Sequence, residues 1–363
     1  MSEQPRVISV VMSVYNGDRY LREAVDSILN QTFTDFEFII IDDGSTDSTW
    51  EVLTAYAKQD SRILPIRNDE NIGLTCSLNK GIALAKGKYI ARMDADDISL
   101  RDRFAKQVAF MDAHPEVGVC GSWIKFISEG ISYIWHYPTD DKTIRCWLLF
   151  KTALAHPSII MRKDLFLKAG LSYDPAYKYA QDHELWVRSS KYCKLANIGE
   201  VLLLYRIHNH QVWQRHRADQ IALARYIQLE QVKSLGIQPT VDELNLHYAL
   251  SMSNFEGTND FVNQAHTWLY KIKAENEKTG SYDELALAKF LGQLWFSLGN
   301  AATKLGWWMW ETFWQSPLSA SADLTWQQKL KFALKCKLRY KPYLWGRIWE
   351  QLEKKLSCCS RSR

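Results

Sequence analysis

Residues 7–14, VISVVMSV, form an almost unbroken β-branched and apolar run, the composition of a strand buried on both faces. Working outward, residues 19–30 place Leu21, Ala24, Val25, Ile28 and Leu29 at helical spacing. Residues 36–41, FEFIII, predict a second strand, ended by the turn Asp42-Asp43-Gly44-Ser45-Thr46-Asp47. Ser48 and Glu51 have the spacing of a capping box for a helix reaching Lys58. Residues 63–67 predict a third strand, 74–85 a helix closed by Gly87, 89–93 a fourth strand, 101–113 a helix and 117–120 a fifth strand. Strands alternating with helices of this length imply βαβ units, and so an α/β fold with a Rossmann-like, mostly parallel sheet flanked by helices.

Beyond Cys120 the alternation loosens into an α+β extension with two compact signals, residues 156–158 (HPS) and 181–188 (QDHELWVR). The polar stretch at 211–219 marks a boundary, and from Ile221 onward the chain reads as helix. The expected organisation is a catalytic domain over 1–215 and an all-helical domain over 216–363. With 47% hydrophobic residues among 363, a full core can form in each. A net charge of +4 argues against a nucleic-acid binder. Seven cysteines at irregular spacing, with no C-x-x-C pair, fit reduced thiols rather than a zinc or redox motif. With neither a signal peptide nor an apolar run long enough to span a bilayer, the expected location is the cytoplasm, with peripheral contact on the inner face of the membrane.

In parallel sheets ligands bind beyond the carboxyl ends of the strands. The loops there carry Tyr15-Asn16-Gly17, Asp42-Asp43-Gly44 and Asp94-Ala95-Asp96-Asp97. Two carboxylates one residue apart at a strand end can face one hard cation, Mn2+ or Mg2+, which would neutralise charge on a leaving diphosphate. Asp43 can accept hydrogen bonds from a base or ribose, Tyr15 can stack on a base, and Arg92 can neutralise phosphate. Each also has a plain structural use: a solvated turn, packing on the first helix, or pairing with a neighbouring acid.

Residues 9–17, the stretch NQTFTDFEFIIIDDGSTDST, the stretch NIGLTCSLNKGIALAKGKYIARMDADD, His156-Pro157-Ser158, Gln181–Trp186 and Tyr205–Gln211 together resemble glycosyltransferase family 2. The likeness covers roughly residues 6–212 in the family's order. It implies a GT-A fold and inverting transfer of a sugar from a nucleotide-diphosphate donor, a UDP-sugar by preference, to a hydroxyl of a glycan or lipid-linked acceptor. It further implies that Ser13 and Tyr15 frame the base, that Asp43 binds uracil or ribose, that Asp94 holds ribose or shares the metal, and that Asp96 ligates it. Asn79 and Arg92 are counted with the nucleotide-sugar residues, His208 with the metal ligands, and His156 and Trp186 with the acceptor site. Asp182 would be the catalytic base, drawing the proton from the acceptor hydroxyl opposite the leaving diphosphate. Gln181 stands where the family more often has Glu. Two other classes fit an acidic sheet edge: a nucleotidyltransferase, which would need a Gly-rich basic loop where Tyr15-Asn16-Gly17-Asp18-Arg19 stands, and a non-catalytic nucleotide-sugar or glycan binder.

Trp307, Trp310 and Trp314 share one helical face, read as core between helices. From Lys331 to Arg363 ten basic residues oppose Glu350 and Glu353, with an apolar stripe at Leu344, Trp345, Ile348, Trp349, Leu352 and Leu356. Such a segment suits either a membrane interface or packing on its own domain.

Overall fold

The computed structural model describes residues 6–128, 131–208 and 217–339. The chain divides into two compact units, Met1–Gln228 and Leu229–Arg363.

In the first unit β1 (Ile8–Val14), β2 (Phe36–Asp42), β3 (Ile63–Arg67) and β4 (Tyr89–Asp94) pair in parallel in the spatial order β3-β2-β1-β4. Helices α1 (Asp18–Leu29), α2 (Thr49–Gln59) and α3 (Leu74–Leu84) make the crossovers. The two-residue period of a strand sends Val10, Met12, Phe38, Ile40, Ala91 and Met93 to one face, beneath α1 and Phe104 of α4 (Arg103–Ala113). Val11, Ile39, Ile41 and Ile90 go to the other, against Leu78 of α3. Covering both faces is what makes these strands continuous apolar runs. The N-cap of α1, Gly17, supplies no side-chain cap, a loss of roughly a few tenths of a kcal/mol. Burial of Leu21, Val25 and Ile28, at roughly 2 kcal/mol each, outweighs it.

The sheet then continues with β8 (Ile160–Arg162), antiparallel to β4, and β6 (Val117–Ser128), antiparallel to β8. β9 (Lys194–Arg206) lies parallel to β6, β5 (Ile98–Ser99) antiparallel to β9, and β7 (Ile131–Trp135) antiparallel to β6. The nine-stranded sheet is therefore mixed in its second half. β6 runs eight residues past the expected end at Cys120, because its outer half is only partly buried and lacks an apolar run.

Two local expectations fail. Ser48 does not cap α2: its hydroxyl donates to Asp18, and Asp47 instead accepts from the Thr49 amide at 3.0 Å. α3 ends at Ala85, not Gly87. Gly87 is needed for close approach: a Cβ there would lie 2.5 Å from the Ser9 nitrogen of β1.

The remaining helices of the first unit are α5 (Asp141–Leu148), α6 (Lys163–Lys168) and α7 (Gln181–Ser189), followed by α8 (Arg217–Ser234), within which the two units meet. The second unit continues with α9 (Val241–Ser251), α10 (Asn259–Thr279), α11 (Glu284–Ala301), α12 (Trp307–Gln315) and α13 (Trp326–Lys337). α9 and α13 begin with full capping boxes, Thr240 with Glu243 and Thr325 with Gln328. Its core holds Trp268, Trp295, Met309, Phe313 and Phe332. On α12 the buried side is Met309 and Phe313, whereas Trp307 is half-exposed and stacks on Trp310 at 5.6 Å. The tryptophan face is thus a partly solvated ladder rather than the centre of the core. The stripe expected from Leu344 to Leu356 lies outside the described residues. Among the described residues no helix is long and apolar enough to cross a membrane.

Candidate active site

The strand order reverses between β1 and β4, and a crevice opens at such a point beyond the strand ends. The register sets Ser13 of β1 beside Asp94 of β4. Arg92 and Asp94 are two residues apart, so they project from the same face. There the buried Arg92 guanidinium pairs with the Asp94 carboxylate. Burial raises the Asp94 carboxyl to about 6 even though Arg92 opposes the rise; the charges of Asp96 and Asp182 add to it.

Asp94, Asp96 and Asp97 bring carboxylate oxygens within 4.8 Å of one another. Asp97 is fully buried; one oxygen accepts from the Arg206 amide at 2.9 Å and the other, Oδ2, has no hydrogen-bond partner among the described residues. Burial, with the charges of Asp96 and Asp94, holds its carboxyl well above the usual range. Asp96 meets His208 Nε2 at 2.9 Å, and Arg206 Nε donates to the Asp96 carbonyl at 2.8 Å. β9 therefore delivers both residues to the acidic loop from across the sheet. Clustered carboxylates, an orphaned buried oxygen and an imidazole make a donor set that fits a divalent cation of the Mg2+ or Mn2+ kind.

The neighbouring strand ends form the rest of the crevice. Tyr15 is half-exposed, as a stacking platform must be. Asp43 is 2% exposed, and its carboxylate accepts from Asn68 Nδ2, Ser77 Oγ and the amides of Ile72 and Gly73, all at 2.8–3.0 Å. It therefore ties residues 68–77 to the end of β2. A cavity of about 270 Å³ beside it is lined by Arg67, Asn68, Asp69, Glu70, Ile72 and Lys80. Asn79 does not open into the crevice through a free amide. Its Nδ2 donates to the Tyr173 carbonyl at 2.7 Å and its Oδ1 accepts from the Tyr173 amide at 3.0 Å.

Asp182 lies in the first turn of α7, where the helix dipole favours an anion. Asp182 is partly exposed, and its charge is among those that raise the carboxyl of Asp94 and the buried phenols of Tyr137 and Tyr173, so it lies within electrostatic reach of the acidic cluster. Trp186, expected to stack under an acceptor sugar, is fully buried in the core beneath the sheet, its indole nitrogen without a hydrogen-bond partner among the described residues. It stands one helical turn beyond Asp182, and with no exposed surface it cannot touch an acceptor in this arrangement. His156 is likewise buried, bonded through Nε2 to the Tyr173 hydroxyl at 2.7 Å and set edge-on to Trp186. Burial and nearby Arg92 push its pKa well below the usual value, so it is neutral. It forms a layer beneath the crevice.

Tyr173 and Arg103 escape the sequence reading, and Asp97, quoted there with the acidic loop, was given no role of its own. Asp97 adjoins the D-x-D pair and could have been suspected from adjacency. Arg103, fully buried on α4, donates to the carbonyls of Arg92 at 2.8 Å and Ile159 at 3.2 Å. Only the fold reveals that contact.

The family model for glycosyl transferase family 2 matches residues 9–169. The chain is 34% identical over 236 residues to an uncharacterized glycosyltransferase of Haemophilus influenzae, covering 62% of this chain and 73% of that protein. It is 37% identical over 211 residues to the O-antigen biosynthesis glycosyltransferase WbnJ of Escherichia coli, covering 56% and 80%. The crystal structure of S. aureus TarS 1–349 in complex with UDP-GlcNAc shares the fold at TM-score 0.54 and 17% identity, over 86% of this chain and 90% of that one. The α/β fold is of the GT-A type, with a helical region following it, and the chain belongs to glycosyltransferase family 2.

Proposed function

We propose that the protein is an inverting hexosyl- or hexosaminyltransferase that moves a sugar from a UDP-sugar to a hydroxyl of a polysaccharide or lipid-linked glycan at the cytoplasmic membrane surface. The observation that carries this reading is the acidic cluster: Asp94, Asp96 and Asp97 bring carboxylate oxygens within 4.8 Å of one another, and the charge of Asp182, 86 residues from Asp96 in sequence, bears on Asp94 as well. A cation-binding cluster with a separate carboxylate in electrostatic reach supports displacement with inversion. The relative named for O-antigen biosynthesis and the neighbour holding UDP-GlcNAc support the donor and acceptor classes.

Asp94, Asp96 and His208 would hold Mn2+ or Mg2+, with Asp97 beside them. Such an ion, when bound, stabilises charge on the departing diphosphate. Arg92 keeps Asp94 oriented and partly compensated. Tyr15 and Ser13 frame the base, and Asp43 shapes its pocket by fixing residues 68–77, with Oδ2 keeping room for one more donor. Asp182 takes the proton of the acceptor hydroxyl as that oxygen attacks the anomeric carbon from the side opposite the diphosphate. The proton rests on the Asp182 carboxylate until solvent removes it. We assign Asn79 and His156 to positioning through Tyr173.

Asp182→Asn tests the assignment. Binding of UDP-GlcNAc with Mn2+, read by calorimetry, should be unchanged, while transfer falls by about 10²–10⁴-fold. Transfer near the wild-type rate would remove Asp182 from the chemistry.

A further inference from the structure

α13 presents two unlike sides. Phe332 and Cys336 are buried in the core of the second unit. On the outward side Trp326, Leu330, Leu334 and Leu338 recur every four residues and are 71, 49, 40 and 58% exposed. Four-residue spacing on a helix stacks side chains into one stripe. An apolar stripe this exposed is uncommon on a soluble surface and marks a contact.

The charges around it have one sign. Residues 326–339 carry Lys329, Lys331, Lys335, Lys337 and Arg339 with no Asp or Glu. Lys329 and Lys337 are exposed. At the far end of the stripe a cavity of about 500 Å³ is lined by Trp307, Cys336, Lys337 and Arg339. It sets two cations and an indole around a space that suits a phosphate-bearing headgroup.

We propose that this face of α13 docks on an anionic lipid bilayer, lying in the interface with the leucines and Trp326 sunk among acyl chains and the lysines on phosphates. Charge decides among the occupants. A second copy would bring the same cations into opposition. Residues 340–363 carry six basic residues against Glu350 and Glu353, so their sequence offers this face no complementary charge. An anionic surface satisfies both the stripe and its rim, and a basic amphipathic helix bearing Trp is the form such contacts take. Docking here is independent of the catalytic assignment.

The test is co-sedimentation of the full chain with vesicles of phosphatidylcholine alone or mixed with phosphatidylglycerol. The wild type should pellet only with the mixed vesicles. Lys329→Gln with Lys337→Gln should weaken partitioning by about fivefold per charge removed. Leu330→Ser with Leu334→Ser, at exposed positions that leave the core intact, should weaken it at least as much, with unchanged circular dichroism. Equal binding to neutral vesicles, no binding to either kind, or variants that pellet like the wild type would each overturn the proposal. Retention on immobilised polyglutamate without vesicle binding would overturn it too, in favour of an acidic polypeptide.

Discussion

Asp94 sits between opposing demands: burial and the charges of Asp96 and Asp182 favour its protonated form, and Arg92 favours its charged form. The balance leaves its carboxyl raised to about 6. Metal and proton then compete for the same oxygens. A carboxylate whose folded pKa is raised binds its proton at higher pH, so cation binding suffers at higher pH than it would at an ordinary Asp. We expect Mn2+ affinity, measured by calorimetry on the otherwise ligand-free protein, to be flat above about pH 7 and to fall as pH drops through about 6, approaching tenfold per unit. A profile flat down to about pH 4.5 would show that Asp94 takes no part. At this scale the sequence disclosed the acidic groups well, because Asp94, Asp96 and Asp43 stand at strand ends in a legible pattern. It disclosed directions poorly. Trp186 and Asp182 lie on one helix four residues apart, yet one is core and the other partly exposed, a distinction set by how α7 docks on the sheet.

Elements position these side chains through a few tight contacts between strands. Gly87 N–H donates to Ser9 Oγ at 2.8 Å, and Ser9 Oγ in turn donates to Glu37 Oε1 at 2.6 Å. Lys86 N–H donates to the same Glu37 oxygen at 2.7 Å. This buried network locks the start of β4 to β1 and β2, and so fixes the register that brings Asp94 beside Ser13. Gly87→Ala would push a methyl into the Ser9 backbone, which cannot rotate away as a side chain could. We expect a loss of about 1–3 kcal/mol, read as a lowered urea midpoint at constant m-value, together with weaker donor binding. A stability equal to wild type would mean that the strands part easily at this point. β1, β2 and β4 were readable because both of their faces are buried and their composition says so. The outer half of β6 and the two-residue β5 were not, because one is partly exposed and the other too short to carry a pattern, and in β9 the polar Asn197, Gly199 and Glu200 interrupt the strand before its apolar run Val201–Tyr205.

Across the whole molecule, the question is whether the two units stand on separate cores. The polar stretch before residue 216 suggested a boundary there, but the first turns of α8 are tied into the first unit by side chains with no strong sequence signal. Gln220 donates to the Tyr179 carbonyl at 3.2 Å, Gln228 to the Phe150 carbonyl at 2.6 Å, and the Tyr226 ring meets Tyr177. The compact units accordingly meet at Gln228 and Leu229. In the second unit Phe313 is fully buried and its ring meets Trp295 at 6.2 Å, Phe296 at 5.9 Å and Phe332 at 5.1 Å. Phe313→Ala removes the hub of that cluster, and cavity formation should cost about 3–5 kcal/mol. If each unit is held by its own core, calorimetry will show one transition displaced to lower temperature and a second unmoved, and UDP-GlcNAc affinity at a temperature below both will match the wild type. If instead a single transition shifts as a whole, and donor affinity falls with it, the two units do not stand on separate cores.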